Sequence, residues 1–281
     1  MKYAEAYRYG AKKLKENGVD NAEFDNRMIF ENCFGLDRTQ LVIKGEHKAP
    51  QGKQEKFLND IDARISGEPL QYILGVWEFM GFEFFVGKGV LIPREETELL
   101  VQEVQKDLEK SSDEKIVFDL CSGSGCVGIS IAKICKNCKV YLIEKSQDAL
   151  KYLKKNATES KLANITIIEG DITKGFEYFD LPQPNIIVSN PPYIKSNDIN
   201  ELQNEVKREP LMALDGGDDG LYFYRILAQK WMPYISENGM IAVEIGDGQD
   251  YDVCAIFSQA SSNVTKKQDF SEIMRVIIAR K

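Results

Sequence analysis

Over the first part of the chain the apolar positions recur three and four residues apart. Tyr3, Tyr7, Ala11 and Leu14 share one helical face, and Gly18 stops the run. Phe24, Met28, Ile29 and Cys33 repeat the pattern up to Gly35, and Phe57, Leu58, Ile61 and Ile65 repeat it up to Gly67. A short apolar segment, Leu41-Val42-Ile43, lies between them. No alternating run interrupts this region, so the spacing predicts a small helical bundle over 1–75, marginal by itself. The next stretch, Val76-Trp77-Glu78-Phe79-Met80-Gly81-Phe82-Glu83-Phe84-Phe85-Val86, is aromatic around a central glycine and reads as a β-hairpin within a linker over 76–93. Its rings suit a seal between two domains or a lid beside a cofactor.

After Pro93 the period changes. A helix is expected over 95–110, with Leu100, Val104 and Leu108 on one face. Strand 115–120, a glycine-rich turn, helix 126–135, strand 139–143, helix 147–159 and strand 164–168 follow. Further strands fit 185–189, 239–245 and 274–280, with helices near 220–232 and 248–259. Strands alternating with helices imply a parallel sheet covered on both faces, so 94–281 reads as a doubly wound α/β domain. Ligands of such sheets bind outside the carboxyl ends of the strands.

Composition narrows the function classes. The 281 residues are 43% apolar and 28% charged, ordinary for a globular protein. Lys and Arg number 36 against 44 Asp and Glu, a net charge of −8 that argues against a mainly electrostatic nucleic-acid binder. No apolar run approaches the roughly 18 residues of a membrane span, and Met1-Lys2-Tyr3-Ala4-Glu5 opens no secretory core, so a cytoplasmic protein without a membrane partner is expected. Cys33, Cys121, Cys126, Cys135, Cys138 and Cys254 are scattered. Cys135-x-x-Cys138 lacks further ligands, because His47 is the only histidine, so no metal site is expected. The same count disfavours histidine-based triads.

Residues 117–128 run from a buried strand through Cys121-Ser122-Gly123-Ser124-Gly125 into a helix. Glycines let backbone approach a ligand, and a helix N-terminus offers free N–H groups. Glu144 follows at the end of the next strand, 19 residues after Gly125, where a carboxylate accepts from ribose hydroxyls. This is a nucleoside-cofactor site. Gly123-x-Gly125-x-x-Gly128 formally matches a dinucleotide fingerprint, but Asp119 just before the loop would repel a pyrophosphate. A carboxylate there suits the ammonium group of an amino acid, which S-adenosylmethionine carries together with a ribose and no phosphate. The segment resembles the first motif of class I S-adenosylmethionine-dependent methyltransferases. Asp171, followed by Ile172, then resembles the acid near the adenine amino group; its plainer reading is a turn-forming aspartate.

The strand at 185–189 leads into Asn190-Pro191-Pro192-Tyr193. Two prolines fix φ and remove two N–H donors, leaving a rigid exit. Asn190 offers an amide oxygen as acceptor, Pro191 a carbonyl, and Tyr193 a ring to roof a flat group. This combination suits a planar –NH2 group whose lone pair is delocalised. Accepting both of its protons favours localising that pair toward an electrophilic methyl group. The motif marks amino methyltransferases and by itself leaves adenine-N6, cytosine-N4 and glutamine-N5 open.

The chain resembles, over nearly its whole length, the protein-(glutamine-N5) methyltransferases, the PrmC or HemK release-factor methyltransferases. The resemblance rests on Glu68-Pro69-Leu70-Gln71-Tyr72-Ile73-Leu74-Gly75, Trp77-Glu78-Phe79, Leu91-Ile92-Pro93-Arg94-Glu95-Glu96-Thr97-Glu98, Asn190 to Tyr193, and Glu209-Pro210-Leu211-Met212-Ala213-Leu214-Asp215-Gly216-Gly217-Asp218-Asp219-Gly220-Leu221. It implies a helical N-terminal domain, a hairpin linker and a seven-strand Rossmann-like methyltransferase domain. It also implies methylation of the glutamine in the Gly-Gly-Gln motif of class 1 peptide chain release factors, modulating translation termination, with S-adenosyl-L-homocysteine as the second product. The cofactor would lie on Asp119, Cys121, Ser122, Gly123, Ser124, Gly125, Glu144, Asp171, Ile172 and Asn190. Asn190, Pro191, Pro192 and Tyr193 would bind and turn over the substrate. Residues 1–75, without a cofactor motif, are expected to recognise the protein substrate, and a monomer is expected. Cys121-Ser122 departs from the usual loop, and Glu144 stands where aspartate is common. A nucleic-acid adenine methyltransferase is disfavoured by the acidic charge, and a nucleotide-binding regulatory module leaves Asn190 to Tyr193 without a purpose.

Overall fold

In the computed structural model, residues 1–110 and 112–281 are described. They divide into two compact units, Met1–Val76 with Gln203–Arg208, and Trp77–Leu202 with Glu209–Lys281.

The first unit holds α1 (Tyr3–Glu16), α2 (Ala22–Phe34), α3 (Arg38–Lys44), α4 (Gln51–Ile65) and α5 (Leu70–Leu74). Leu14, Ile29, Phe30, Phe34, Phe57 and Ile61 form its core, so the helical spacing of the sequence is the spacing of the buried face. Leu41-Val42-Ile43 belongs to α3, where Val42 and Ile43 are exposed. Arg64 forms a buried ion pair with Asp25 at 2.6 Å, and its other nitrogens donate to the Glu68 carbonyl and to Glu205 at 2.5 Å. Those bonds anchor Gln203–Arg208 in this unit.

The second unit opens with β1 (Val76–Phe79) and β2 (Phe82–Phe85), a hairpin turning on Met80 and Gly81. Phe79 and Phe84 enter the same core as Leu100, Val104 and Leu142. The hairpin residues from Trp77 onward are therefore part of this unit, whereas the sequence pattern set 76–93 apart as a linker. Then come α6 (Glu98–Leu108), β3 (Lys115–Leu120), α7 (Cys126–Ile134), β4 (Cys138–Glu144), α8 (Gln147–Ser160), β5 (Ile165–Glu169) and β6 (Ile186–Ser189). The chain ends through α9 (Tyr222–Lys230), β7 (Met240–Glu244), α10 (Asp250–Ser258), β8 (Asn263–Gln268) and β9 (Met274–Arg280).

The seven strands lie in the order β5-β4-β3-β6-β7-β9-β8. The first five are parallel, while β9 runs antiparallel to β7 and β8 antiparallel to β9. Successive residues of a strand point to opposite faces, and the two cores follow that rule. Val117, Ile186, Val188, Met240 and Ala242 face one core with α6, α7 and α8. Phe118, Ile187, Ile241 and Val243 face the other with Tyr224, Leu227, Val253 and Phe257 of α9 and α10. Both faces are covered, as the unbroken apolar runs of these strands require. Between β3 and β6 the order of crossovers reverses, which opens a crevice at their carboxyl ends. Among the described residues, no helix is long and apolar enough to cross a membrane.

Candidate active site

The glycine-rich loop fills the crevice. Gly123 and Gly125 have φ of 55° and 82°, where glycine is unstrained. A Cβ at Gly123 would meet nothing closer than Val90 Cγ2 at 4.0 Å, and both residues line the cleft, so a side chain there would occupy ligand space. Gly128 does a different job. A Cβ on it would lie 2.3 Å from Leu142 Cδ2 and 2.8 Å from Asp119 Oδ2. Its absence lets α7 close on β4 while the Gly128 N–H donates to Asp119 at 2.9 Å.

Glu144 ends β4 and turns back to the loop. Its Oε2 accepts from the Gly123 N–H at 2.8 Å, and its Oε1 accepts from the Lys145 and Ser146 N–H groups at 2.8 and 2.6 Å. The carboxylate therefore shapes the loop as well as facing the cleft. Asp119 is buried (1% exposed), and its carboxyl is pushed up to about 7. Burial is the main cause; the Gly128 N–H opposes it and the nearby Glu144 charge adds to it. Asp171 behaves in the opposite way. Burial would raise it, but Lys145 at 2.9 Å and the Thr173 N–H and hydroxyl hold it down at about 2. The side chain thus caps the short turn Ile172–Lys174 and pairs with Lys145 while lining the cleft.

Asp119, Cys121, Ser122, Gly123, Ser124, Glu144, Asp171, Ile172, Asn190 and Pro192 all line this one cleft. Gly125, Pro191 and Tyr193 do not. Tyr193 lines a separate cavity, with Gly246 and Gln249. Its carbonyl accepts from Gln249 Nε2 at 3.0 Å, and its ring approaches Gly246 so closely that a Cβ there would lie 3.1 Å from it. Tyr193 thus follows the cleft residues Asn190 and Pro192 while its own side chain lines the neighbouring cavity. Asn190 stands at the exit of β6 and donates from Nδ2 to Thr97 Oγ1 at 3.1 Å.

Two family models match the chain. One described as PrmC N-terminal domain covers residues 5–75, and one described as Methyltransferase small domain covers 95–214. The release factor glutamine methyltransferase of Geobacter sulfurreducens is 37% identical over 271 residues, 95% of this chain and 92% of that protein. The chain belongs to the release factor glutamine methyltransferase family. The Thermodesulfovibrio yellowstonii member is 39% identical over 252 residues, 88% of each chain. A solved methyltransferase of Pyrococcus furiosus superposes with a TM-score of 0.53 at 14% identity, over 83% of this chain and 99% of that one, a likeness of fold.

Within this family site, the structure adds residues that the sequence pattern passed over. Arg94 lines the cleft and forms an ion pair with Glu209, which also accepts the Ile92 N–H at 3.0 Å. Thr97 lines the cleft, and Glu244 lies buried at the end of β7. The signal for Glu244 was present: it is the one charged residue of Met240–Glu244, placed at the carboxyl edge of the sheet. Cys121, where the loop departs from the usual pattern, takes φ of 62°, a conformation costing a side-chain-bearing residue about 1–2 kcal/mol. Cys138 Sγ donates to the Cys135 carbonyl at 2.8 Å, and no His, Cys, Asp and Glu cluster suited to a metal occurs among the described residues.

Proposed function

We propose that this chain transfers a methyl group from S-adenosylmethionine to the side-chain amide nitrogen of the glutamine in the Gly-Gly-Gln motif of class 1 peptide chain release factors. The observation that carries this reading is that Asn190, Asp119, Gly123 and Glu144 line one cleft. The cleft suits the donor. Asp119 is a buried acid whose ionised form a cationic ammonium would favour, Gly123 leaves the space a side chain would fill, and Glu144 is a carboxylate at ribose-binding position. When bound, S-adenosylmethionine supplies an electrophilic methyl group on a sulfonium.

The protein's own residues do the rest. The Asn190 Oδ1 and the Pro191 carbonyl accept the two amide protons of the glutamine. Those bonds disfavour delocalisation of the nitrogen lone pair into its carbonyl and aim it along the methyl axis. Thr97 holds the –NH2 end of the Asn190 amide, so the acceptor is in place before the substrate arrives. No strong base is needed, because the N-methylated amide gives up its extra proton readily.

The N-terminal unit, Met1–Val76 with Gln203–Arg208, recognises the body of the release factor in this reading. Its support is that every cleft-lining residue belongs to the second unit. The net charge of −8 disfavours nucleic acid as the substrate, and a substrate that works on ribosomes places the enzyme in the cytosol. The test of the catalytic assignment is Asn190→Ala. Donor affinity should stay near wild type while turnover falls by about tenfold or more. Unchanged turnover would remove Asn190 from the chemistry.

A further inference from the structure

The amide of Asn190 has two ends, and the proposed reaction uses only one. For Oδ1 to accept from substrate, the –NH2 end must be held elsewhere. Asn190 Nδ2 donates to Thr97 Oγ1 at 3.1 Å, and Thr97 is 2% exposed. Behind them lies Glu244, also 2% exposed, with one carboxylate oxygen that has no hydrogen-bond partner. The sheet puts it there. Ser189 of β6 pairs with Val243 of β7, so the next residues, Asn190 and Glu244, leave adjacent parallel strands side by side.

We infer that Thr97 and Glu244 are positioning residues that set which end of the Asn190 amide faces the cleft. This rests on the catalytic reading of Asn190 given above. The argument is one of donors and acceptors. A carboxylate only accepts. A threonine hydroxyl has one proton to give, and beside a carboxylate that proton goes to the charged acceptor. The hydroxyl oxygen is then left as an acceptor toward Asn190, which must present its –NH2 group. Oδ1 is thereby turned to the opposite side, toward the cleft that Asn190 lines. Were Glu244 an amide, it could donate to Thr97 Oγ1, the threonine proton could go to Asn190 Oδ1, and the catalytic amide would be free to flip. This order of donors and acceptors is that of the ionised Glu244: burial pushes its carboxyl up to about 7, while Thr97, the Arg275 charge and Asn190 oppose that rise, so the group is an acceptor above that pH. The other groups facing it are Glu96, Tyr193 and Tyr224.

The arrangement also accounts for a buried acid that is not among the residues lining the cleft. A lone carboxylate in an apolar layer is costly, and one hydrophobic residue would fill the space more favourably. Its use is to give the hydroxyl above it a direction.

The test is a double-mutant cycle on the full chain, measured with a Gly-Gly-Gln peptide. Thr97→Val keeps the shape and removes the hydroxyl. It should lower kcat by about tenfold while the KM for peptide and the affinity for S-adenosylmethionine stay near wild type. Thr97→Ser keeps the hydroxyl and should restore kcat. In an Asn190→Ala background, Thr97→Val should cost nothing further, because the residue acts through Asn190. Glu244→Gln, which removes a buried charge without emptying its site, should lower kcat in the same way. Wild-type kcat in Thr97→Val, additive losses in the cycle, or a rise in KM instead of a fall in kcat would each overturn the inference. If Thr97→Val is inert while Asn190→Ala is inactive, only this inference fails. If Asn190→Ala is itself fully active, the catalytic reading fails with it.

Discussion

Binding of the methyl donor should release a proton from Asp119. The side chain is buried at the floor of the cleft, and its carboxyl is pushed up from 3.8 to about 7, chiefly by burial and further by Glu144. A ligand that brings an ammonium and a sulfonium favours the ionised form, so the proton leaves when the ligand enters. At pH 7 a group with a pKa near 7 is half protonated, so about half a proton should be released per molecule bound. Affinity should rise by about tenfold between pH 6 and pH 8 and level off above that. Isothermal titration in two buffers of different ionisation enthalpy measures the released proton directly. Asp119→Asn keeps an oxygen for the Gly128 N–H and removes the titration. It should bind the donor more weakly at pH 8, by about tenfold or more, and show no pH dependence from this group. Without ligand the sign is reversed. A folded pKa above the unfolded one gives a contribution to stability that is full below about 3.8 and lost as the pH rises through about 7. Without donor, Asp119→Asn should therefore melt above the wild type at pH 8 and approach it at low pH. Donor affinity that is flat from pH 6 to pH 8, or a pH dependence that survives Asp119→Asn, would refute the placement of the ammonium.

Glu144→Ala removes the acceptor of three backbone N–H groups as well as the ribose ligand. It should weaken donor binding by about 1.5–3 kcal/mol in calorimetric titration and lower the urea midpoint, since the loop loses its anchor. A chain beginning at Trp77, without Met1–Val76, should still methylate a short Gly-Gly-Gln peptide while losing intact release factor as a substrate, with rates on the two substrates compared side by side. The cut belongs at Trp77, because Phe79 and Phe84 of the hairpin are buried in the core of the second unit.

What could be read from the sequence follows from how local its physics is. The strands at 115–120, 139–143 and 185–189 were visible because buried parallel strands are unbroken apolar runs, and the glycine loop was visible because it joins one of these to a helix. β8, Asn263–Gln268, was invisible from the residues alone. It is a polar edge strand with mostly half-exposed or exposed positions, and its partner β9 lies beyond it in the chain. Leu41-Val42-Ile43 was ambiguous because three apolar residues carry no period; the helix there is set by Asp37, whose side chain caps it at the Gln40 N–H. In the site, Glu144 was found by its spacing from the loop. Thr97 stands among the charged residues Glu95, Glu96 and Glu98 and carries no signal of its own. Its partner Asn190 is 93 residues away, and no sequence rule joins them. The surroundings of Tyr193 were hidden in the same way: its carbonyl accepts from Gln249, 56 residues away, and its ring lies against Gly246.

The central claim is that Asn190 and its cleft act on a glutamine side-chain amide in a protein. The most direct measurement is mass spectrometry of three substrates incubated in parallel with the enzyme and S-adenosylmethionine: a class 1 release factor, the same factor with asparagine in place of the Gly-Gly-Gln glutamine, and adenine-containing DNA. The asparagine amide is withdrawn by one methylene, and well-aligned attack loses about a hundredfold in rate for a displacement near 1 Å. The account predicts one added methyl group on the glutamine, almost none on the asparagine and none on DNA. Methylation of the asparagine at a comparable rate, or of DNA adenine in preference to the release factor, would contradict it.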